Sequence, residues 1–138
     1  MFVGIAIFVA IGSIIVVFVL IIALNRNRKN NAVAQSKKLD DLLLEIQQEI
    51  LCVTGVSIPG REFKKIVGMV RGVSDTQATM KEQFQLIEKE ALYNMLAQAK
   101  SRGGNAVVEI KLDTGSYEDA GSQWQVSQAV YTGTAVVI

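Results

Sequence analysis

Phe2 to Leu24 is an unbroken stretch without a charged side chain, and Ser13 is its only polar residue. A helix rises about 1.5 Å per residue, so a run of this length crosses a hydrocarbon core of about 30 Å with modest tilt. The competing explanation is a buried core helix, but the remaining chain is too short to wrap a uniformly apolar helix on every side. The stretch therefore predicts a transmembrane anchor over residues 1–25. A cleaved signal peptide fits poorly. Met1-Phe2 offers no basic start, the apolar core is too long, and Ala32-Val33-Ala34 lies behind Arg26, Arg28 and Lys29.

The charges predict the orientation. Lys and Arg near the end of a span stay preferentially on the cytoplasmic side. The carboxyl-terminal flank carries Arg26, Arg28 and Lys29, followed by Lys37 and Lys38, whereas the other end offers only the amino group. The amino terminus is expected outside and the rest of the chain in the cytoplasm. The same three residues are positioned to meet anionic lipid headgroups, although a plain stop and orientation signal is the simpler account of them.

Composition narrows the function classes. Of 138 residues, those beyond the anchor suffice for one modest domain and a connector. A formal charge of +1 leaves no electrostatic footprint for nucleic acid. The single cysteine, Cys52, cannot form an internal disulfide, which fits a reducing compartment. Its apolar, β-branched neighbours read as the setting of a small buried hydrophobe rather than a reactive thiol. The absence of histidine removes the commonest general base and the commonest transition-metal ligand.

Beyond the anchor, residues 26–50 read as a basic linker, Asn25 to Asn31, followed by a juxtamembrane amphipathic helix. Leu39, Leu43, Ile46 and Ile50 recur at helical spacing among acids and amides, a seam of under two heptads that needs a partner. Two partners are open: the protein's own domain, or copies of the same helix bundled below the membrane. Leu51 to Thr54 starts a strand, Ser57-Ile58-Pro59-Gly60 is a turn, and Lys65 to Val73 is a second strand. A long helix then runs to Gly103-Gly104, with Thr79 and Glu82 at capping-box spacing and Phe84, Ile87, Ala91 and Met95 on its apolar stripe. Ala106 to Asp113 is a strand, Thr114 to Ser122 a loop, and Gln123 to Ile138 a terminal strand. That last strand is apolar enough to need cover on both faces, from its own sheet or from a neighbouring subunit.

Three segments match a known family in order and spacing: Val67-Gly68-Met69-Val70-Arg71-Gly72, Arg102-Gly103-Gly104-Asn105-Ala106-Val107-Val108, and Tyr131-Thr132-Gly133-Thr134-Ala135-Val136-Val137. Together they resemble the YbjQ-like family, which is labelled heavy-metal-binding. The resemblance covers residues 51–138 and marks Gly68, Gly72, Gly103, Ala106, Gly133, Thr134 and Ala135 as structural motif positions. It implies a small α+β sheet-plus-helix domain that assembles as a homopentameric ring, with strands helping to join subunits. The chain departs from the family pattern in its short Val73 to Thr79 link and in the added anchor. The expected location is therefore a bacterial cytoplasmic membrane, with a ring of domains tethered to it.

The expected function is non-enzymatic: a scaffold or docking platform built from copies of the chain, in contact with membrane lipids and an unidentified protein partner. The alternative is a module that binds a ligand or metal at the ring lumen or between subunits. A metal site would need Cys52 from several subunits, or oxygens from Asp113, Glu118 and Asp119, whose spacing does not match a calcium loop. No metal or cofactor is expected. Glu88, Glu90 and Glu109 have no nucleophile or base paired with them, so no catalytic residue is expected either.

Overall fold

In the computed structural model, the backbone is described for residues 2–79, 81–118 and 125–138, and the side chains for residues 16–79, 83–116 and 126–138. Six elements follow one another: α1 (Phe2–Glu49), β1 (Leu51–Cys52), β2 (Lys65–Val73), α2 (Lys81–Ser101), β3 (Ala106–Glu118) and β4 (Gln125–Val137). Two units divide the chain, Met1–Ala34 and Gln35–Ile138.

The first unit is helical. Its described apolar residues Val16 to Ile22 and Leu24 are each between 50% and 65% exposed, all around the helix. Among the described residues no helix is long and apolar enough to cross a membrane. The described side chains begin at Val16, so Phe2 to Ile15 of the expected anchor lie outside them. The expected linker at Asn25 to Asn31 is corrected: these residues are helical. No Gly or Pro occurs between Asn25 and Glu49, and the Arg, Lys, Ala, Gln and Leu content outweighs the weak helix preference of the asparagines.

The second unit is built on a four-stranded mixed sheet of order β1-β3-β4-β2. β4 lies at its centre, antiparallel to both β2 and β3, and β1 adds a short parallel pairing to β3. An apolar carboxyl-terminal strand thus finds both of its neighbours within its own chain. The expected loop from Thr114 is corrected as well. Thr114 to Glu118 extend β3 and pair in register with Gln125 to Ala129, because a hairpin ladder satisfies their backbone groups while Thr114 and Ser116 stay exposed. Residues 119–124 of that expected loop lie outside the described ones.

Helix α2 covers one face of the sheet. Ile87, Ala91, Met95, Leu96 and Ala99 are fully buried, with Val70, Val107, Ala129 and Ala135 beneath them. Phe84, expected on this stripe, is 37% exposed at the helix's first turns. The approach is closest at Gly72, where a Cβ would stand 1.9 Å from the carbonyl oxygen of Ala91 and 2.3 Å from the amide nitrogen of Met95. Only a residue without a side chain permits that contact. The helix ends in a Schellman turn. Gly103, at φ 82°, donates to the carbonyl of Lys100, and Gly104 donates to that of Ala99.

The amphipathic end of α1 enters the same core. Leu43, Ile46 and Ile50 are buried against Val70, Met95, Leu96 and Val107, while Leu39 is half-buried and Leu44 is 63% exposed. Of the two partners open to this seam, the chain's own domain takes it. On the opposite sheet face a smaller cluster of Ile58, Ala106, Val108 and Val136, with Val53 and Phe63, covers one end.

Two tests follow from this packing, both read as thermal midpoints of the full chain in detergent. Gly72→Ala should lower stability by about 2 kcal/mol or more, because neither backbone can retreat without losing its own hydrogen bonds. Ile46→Ala should cost about 2–5 kcal/mol, whereas Leu44→Ala on the exposed side should stay within about 0.5 kcal/mol. Equal effects at positions 44 and 46 would contradict the placement of α1.

Candidate functional site

Three surfaces carry the chemistry-bearing residues. The first is the basic flank in the first unit, where Arg26, Arg28 and Lys29 are exposed directly after the apolar run. Spaced over one helical turn, their cations spread around the helix rather than forming one pocket.

The second is the seam between α1 and α2. Lys89 Nζ donates to Ser36 Oγ at 2.8 Å and pairs with Asp40 at 2.8 Å, and Lys100 pairs with Glu49 at 2.7 Å. The hydrogen bond that Lys100 donates to the Glu49 carboxylate pushes its ammonium above the ordinary pKa. Both pairs are solvated, so they fix register more than they add stability. Between them lies an open groove of about 620 Å³, lined by Leu42, Glu45, Ile46, Glu49, Tyr93 and Lys100.

The third is the outer edge of β2. An edge strand presents unpaired backbone groups every second residue. Here α2 and the residue directly after it satisfy three of them with one row of side chains. Asn94 Nδ2 donates to the carbonyl of Val73 at 2.8 Å, Gln98 Oε1 accepts from the amide of Arg71 at 2.8 Å, and Arg102 donates to the carbonyl of Met69 at 2.8 Å. The four-residue spacing of Asn94, Gln98 and Arg102 was the available sequence signal, yet polar residues at that spacing ordinarily mark a solvated helix face.

The short link before α2 is tied down rather than open. Glu90 accepts from both the amide and the hydroxyl of Thr76, at 2.9 and 2.8 Å. Ser74 exchanges hydrogen bonds with Ala129, and Ala78 bridges to Ser127. Thr79 donates its amide and hydroxyl to Gln83 Oε1, while the side chain of the expected partner, Glu82, lies outside the described residues. Glu90 is thus a structural acceptor, a role its sequence context did not signal.

The remaining candidates do not converge. Cys52 is half-buried, its thiol faces the carbonyl of Ile50 at 3.7 Å, and burial pushes its pKa up. Glu109 sits at φ 54° in the bulge where β3 shifts register, within 3.4 Å of the Thr134 hydroxyl. Asp113 is exposed on β3, and the side chains of Glu118 and Asp119 lie outside the described residues. Burial, and secondarily the charge of Glu88, raise the Tyr131 pKa. Among the described residues no three of His, Cys, Asp and Glu come together as a metal site would require. The motif positions are packing points: Gly68 at the β2 bulge, Gly72 under α2, Gly103 in the helix cap, Ala106 opposite Leu51, and Gly133, Thr134 and Ala135 in central β4.

The chain is similar to known proteins in sequence over part of its length and in fold. Residues 74–138 match the YbjQ_1 family, described as "Putative heavy-metal-binding". The match takes in α2, β3 and β4 and begins just after β2, so Val67 to Gly72 fall outside it. A crystal structure of a protein of unknown function from Pediococcus pentosaceus ATCC 25745, of the DUF74 family, is similar with a TM-score of 0.50 and 17% identity. The likeness covers 64% of this chain and 97% of that one, and it is a likeness of fold. No curated protein matches the sequence. The YbjQ-like segment therefore folds as a small α+β domain.

The state of Cys52 gives a direct check. With the thiol held above its ordinary 9.0, alkylation of the native chain at pH 8 should run at least tenfold slower than in denaturant, and its rate should still be climbing past pH 9. A native rate equal to the denatured one would place the thiol in open solvent.

Proposed function

We infer that this is a single-pass protein of the bacterial cytoplasmic membrane, whose carboxyl-terminal YbjQ-like domain faces the cytoplasm and assembles with its copies, as a pentamer, into a scaffold or docking platform. The observation that carries the reading is the helical surface from Val16 to Leu24, apolar and exposed on all sides, ending at Arg26, Arg28 and Lys29. Water is a poor solvent for so continuous an apolar surface, and lipid or packed copies of the same helix would cover it. The basic residues would then sit among headgroups on the cytoplasmic side, each contributing about 1 kcal/mol where the lipid is anionic.

The assembly reading rests on the family resemblance, and the scaffold reading on the residues. Glu90, Asn94, Gln98 and Arg102 are engaged in holding the fold, and no nucleophile and base stand together among the described residues. A metal- or ligand-binding role has the family description as its support, together with the ring lumen that assembly would create.

Membrane fractionation tests the reading. The full-length protein should stay with membranes through an alkaline carbonate wash, and a variant lacking residues 2–24 should move to the supernatant. Added protease should digest the domain in inverted vesicles but not in spheroplasts. Native mass spectrometry in detergent should report five subunits. Release by carbonate would overturn the anchor, digestion in spheroplasts the orientation, and a monomer the assembly.

A further inference from the structure

The second unit is electrically two-sided. Residues 40–49, at the end of α1, hold Asp40, Asp41, Glu45 and Glu49 and no base. Residues 61–71, leading into and along β2, hold Arg61, Lys64, Lys65 and Arg71 against Glu62 alone. Each charged region borders apolar residues. The acidic one rims the groove lined by half-buried Leu42 and Tyr93, together with Lys100, where Glu45 and Glu49 stand one turn apart on the same side of α1. Like charges at that spacing repel, and Lys100 makes its ion pair with Glu49 while attracting Glu45 only at longer range.

The basic region borders Ile66, 67% exposed, and Met69, 73% exposed. Ile66, Met69 and Arg71 pair with Val136, Thr134 and Thr132, alternate residues of β4, so the three share one sheet face. Val70 and Gly72, which lie under α2, belong to the other. The apolar–basic strip and the apolar–acidic groove therefore occupy opposite faces of the domain.

We propose that the strip Ile66, Met69 and Arg71 of one copy docks into the α1–α2 groove of the next, with Arg71 meeting Glu45. This deepens the assembly reading and rests on it. The occupant is a second copy because one chain carries both halves of a complementary pair of surfaces, apolar centre against apolar floor and basic rim against acidic rim. Since the halves lie on opposite faces, the contact is head-to-tail, the type that closes into a ring when the rotation per subunit permits. The joint is made by side chains, because Asn94, Gln98 and Arg102 already occupy the β2 edge from Met69 to Val73.

Charge reversal of the full chain in detergent, read by native mass spectrometry across a dilution series, tests the contact. Glu45→Lys and Arg71→Glu change exposed side chains. Neither charged group takes part in a hydrogen bond or ion pair among the described residues, since Arg71 meets Gln98 through its backbone amide. Each single variant should raise the concentration at which assemblies dissociate at least tenfold with an unchanged thermal midpoint. The double variant, which restores opposite charges in swapped positions, should recover most of that loss. Assemblies that withstand both single reversals, or a double variant no better than the singles, would overturn this contact while leaving the assembly reading intact. A monomeric wild-type chain would overturn both.

Discussion

The domain depends on how closely α2 can approach the sheet. With Gly72 under the backbone of Ala91 and Met95, and with Ala91, Ala99, Ala129 and Ala135 as small residues around it, helix and strands come nearer than side chains would ordinarily allow. That proximity lets the longer side chains at α2's flank reach around to β2's outer edge. It also leaves the helix's other side available for Leu43 and Ile46 of α1 and for Ile50 directly after it. One close contact thus sets the position of three elements, and the larger apolar residues fill the space it defines.

Central β4 supplies the other constraint. It is the last strand made, yet it joins β2 to β3, so the sheet has no continuity until the chain is nearly complete. Its long hairpin with β3 is local, while its pairing with β2 spans the whole of α2. The tied-down link from Ser74 to Thr79 shortens that separation in space by running beside β4 at Ala129 and Ser127. What looked in sequence like a pared-down connector is a stretch with its polar groups engaged.

Much of this was legible beforehand, for identifiable reasons. β2 was bounded correctly at Lys65 and Val73 because a run rich in β-branched residues sits between turn signals, and α2's end was marked by two glycines that a helix cap requires. The linker at Asn25 to Asn31 was misread because polarity was taken for irregularity, although nothing there breaks a helix. The loop at Thr114 was misread for a related reason: Asp, Gly and Ser signal turns locally, but ladder pairing with β4 overrides local preference. The destination of the Leu39 to Ile50 seam could not be read at all, since a short apolar stripe carries no address. The residues that tie edges and links, Glu90, Asn94, Gln98 and Arg102, stayed invisible because their partners are backbone groups or distant in sequence.

The row of side chains along β2 has a consequence for how the chain must be made. During synthesis β2 emerges before α2 and well before β4, so for that interval both of its edges are bare, with Ile66 and Met69 beside them. A strand in that state is a template for any other nascent copy. The first protection to arrive is α2, which brings its apolar stripe with Asn94 and Gln98, and Arg102 directly behind them, sealing one side of the strand while the other waits for the carboxyl terminus. The order of elements along the chain therefore also sets a schedule, in which the most adhesive strand is guarded on one side before its true partner exists.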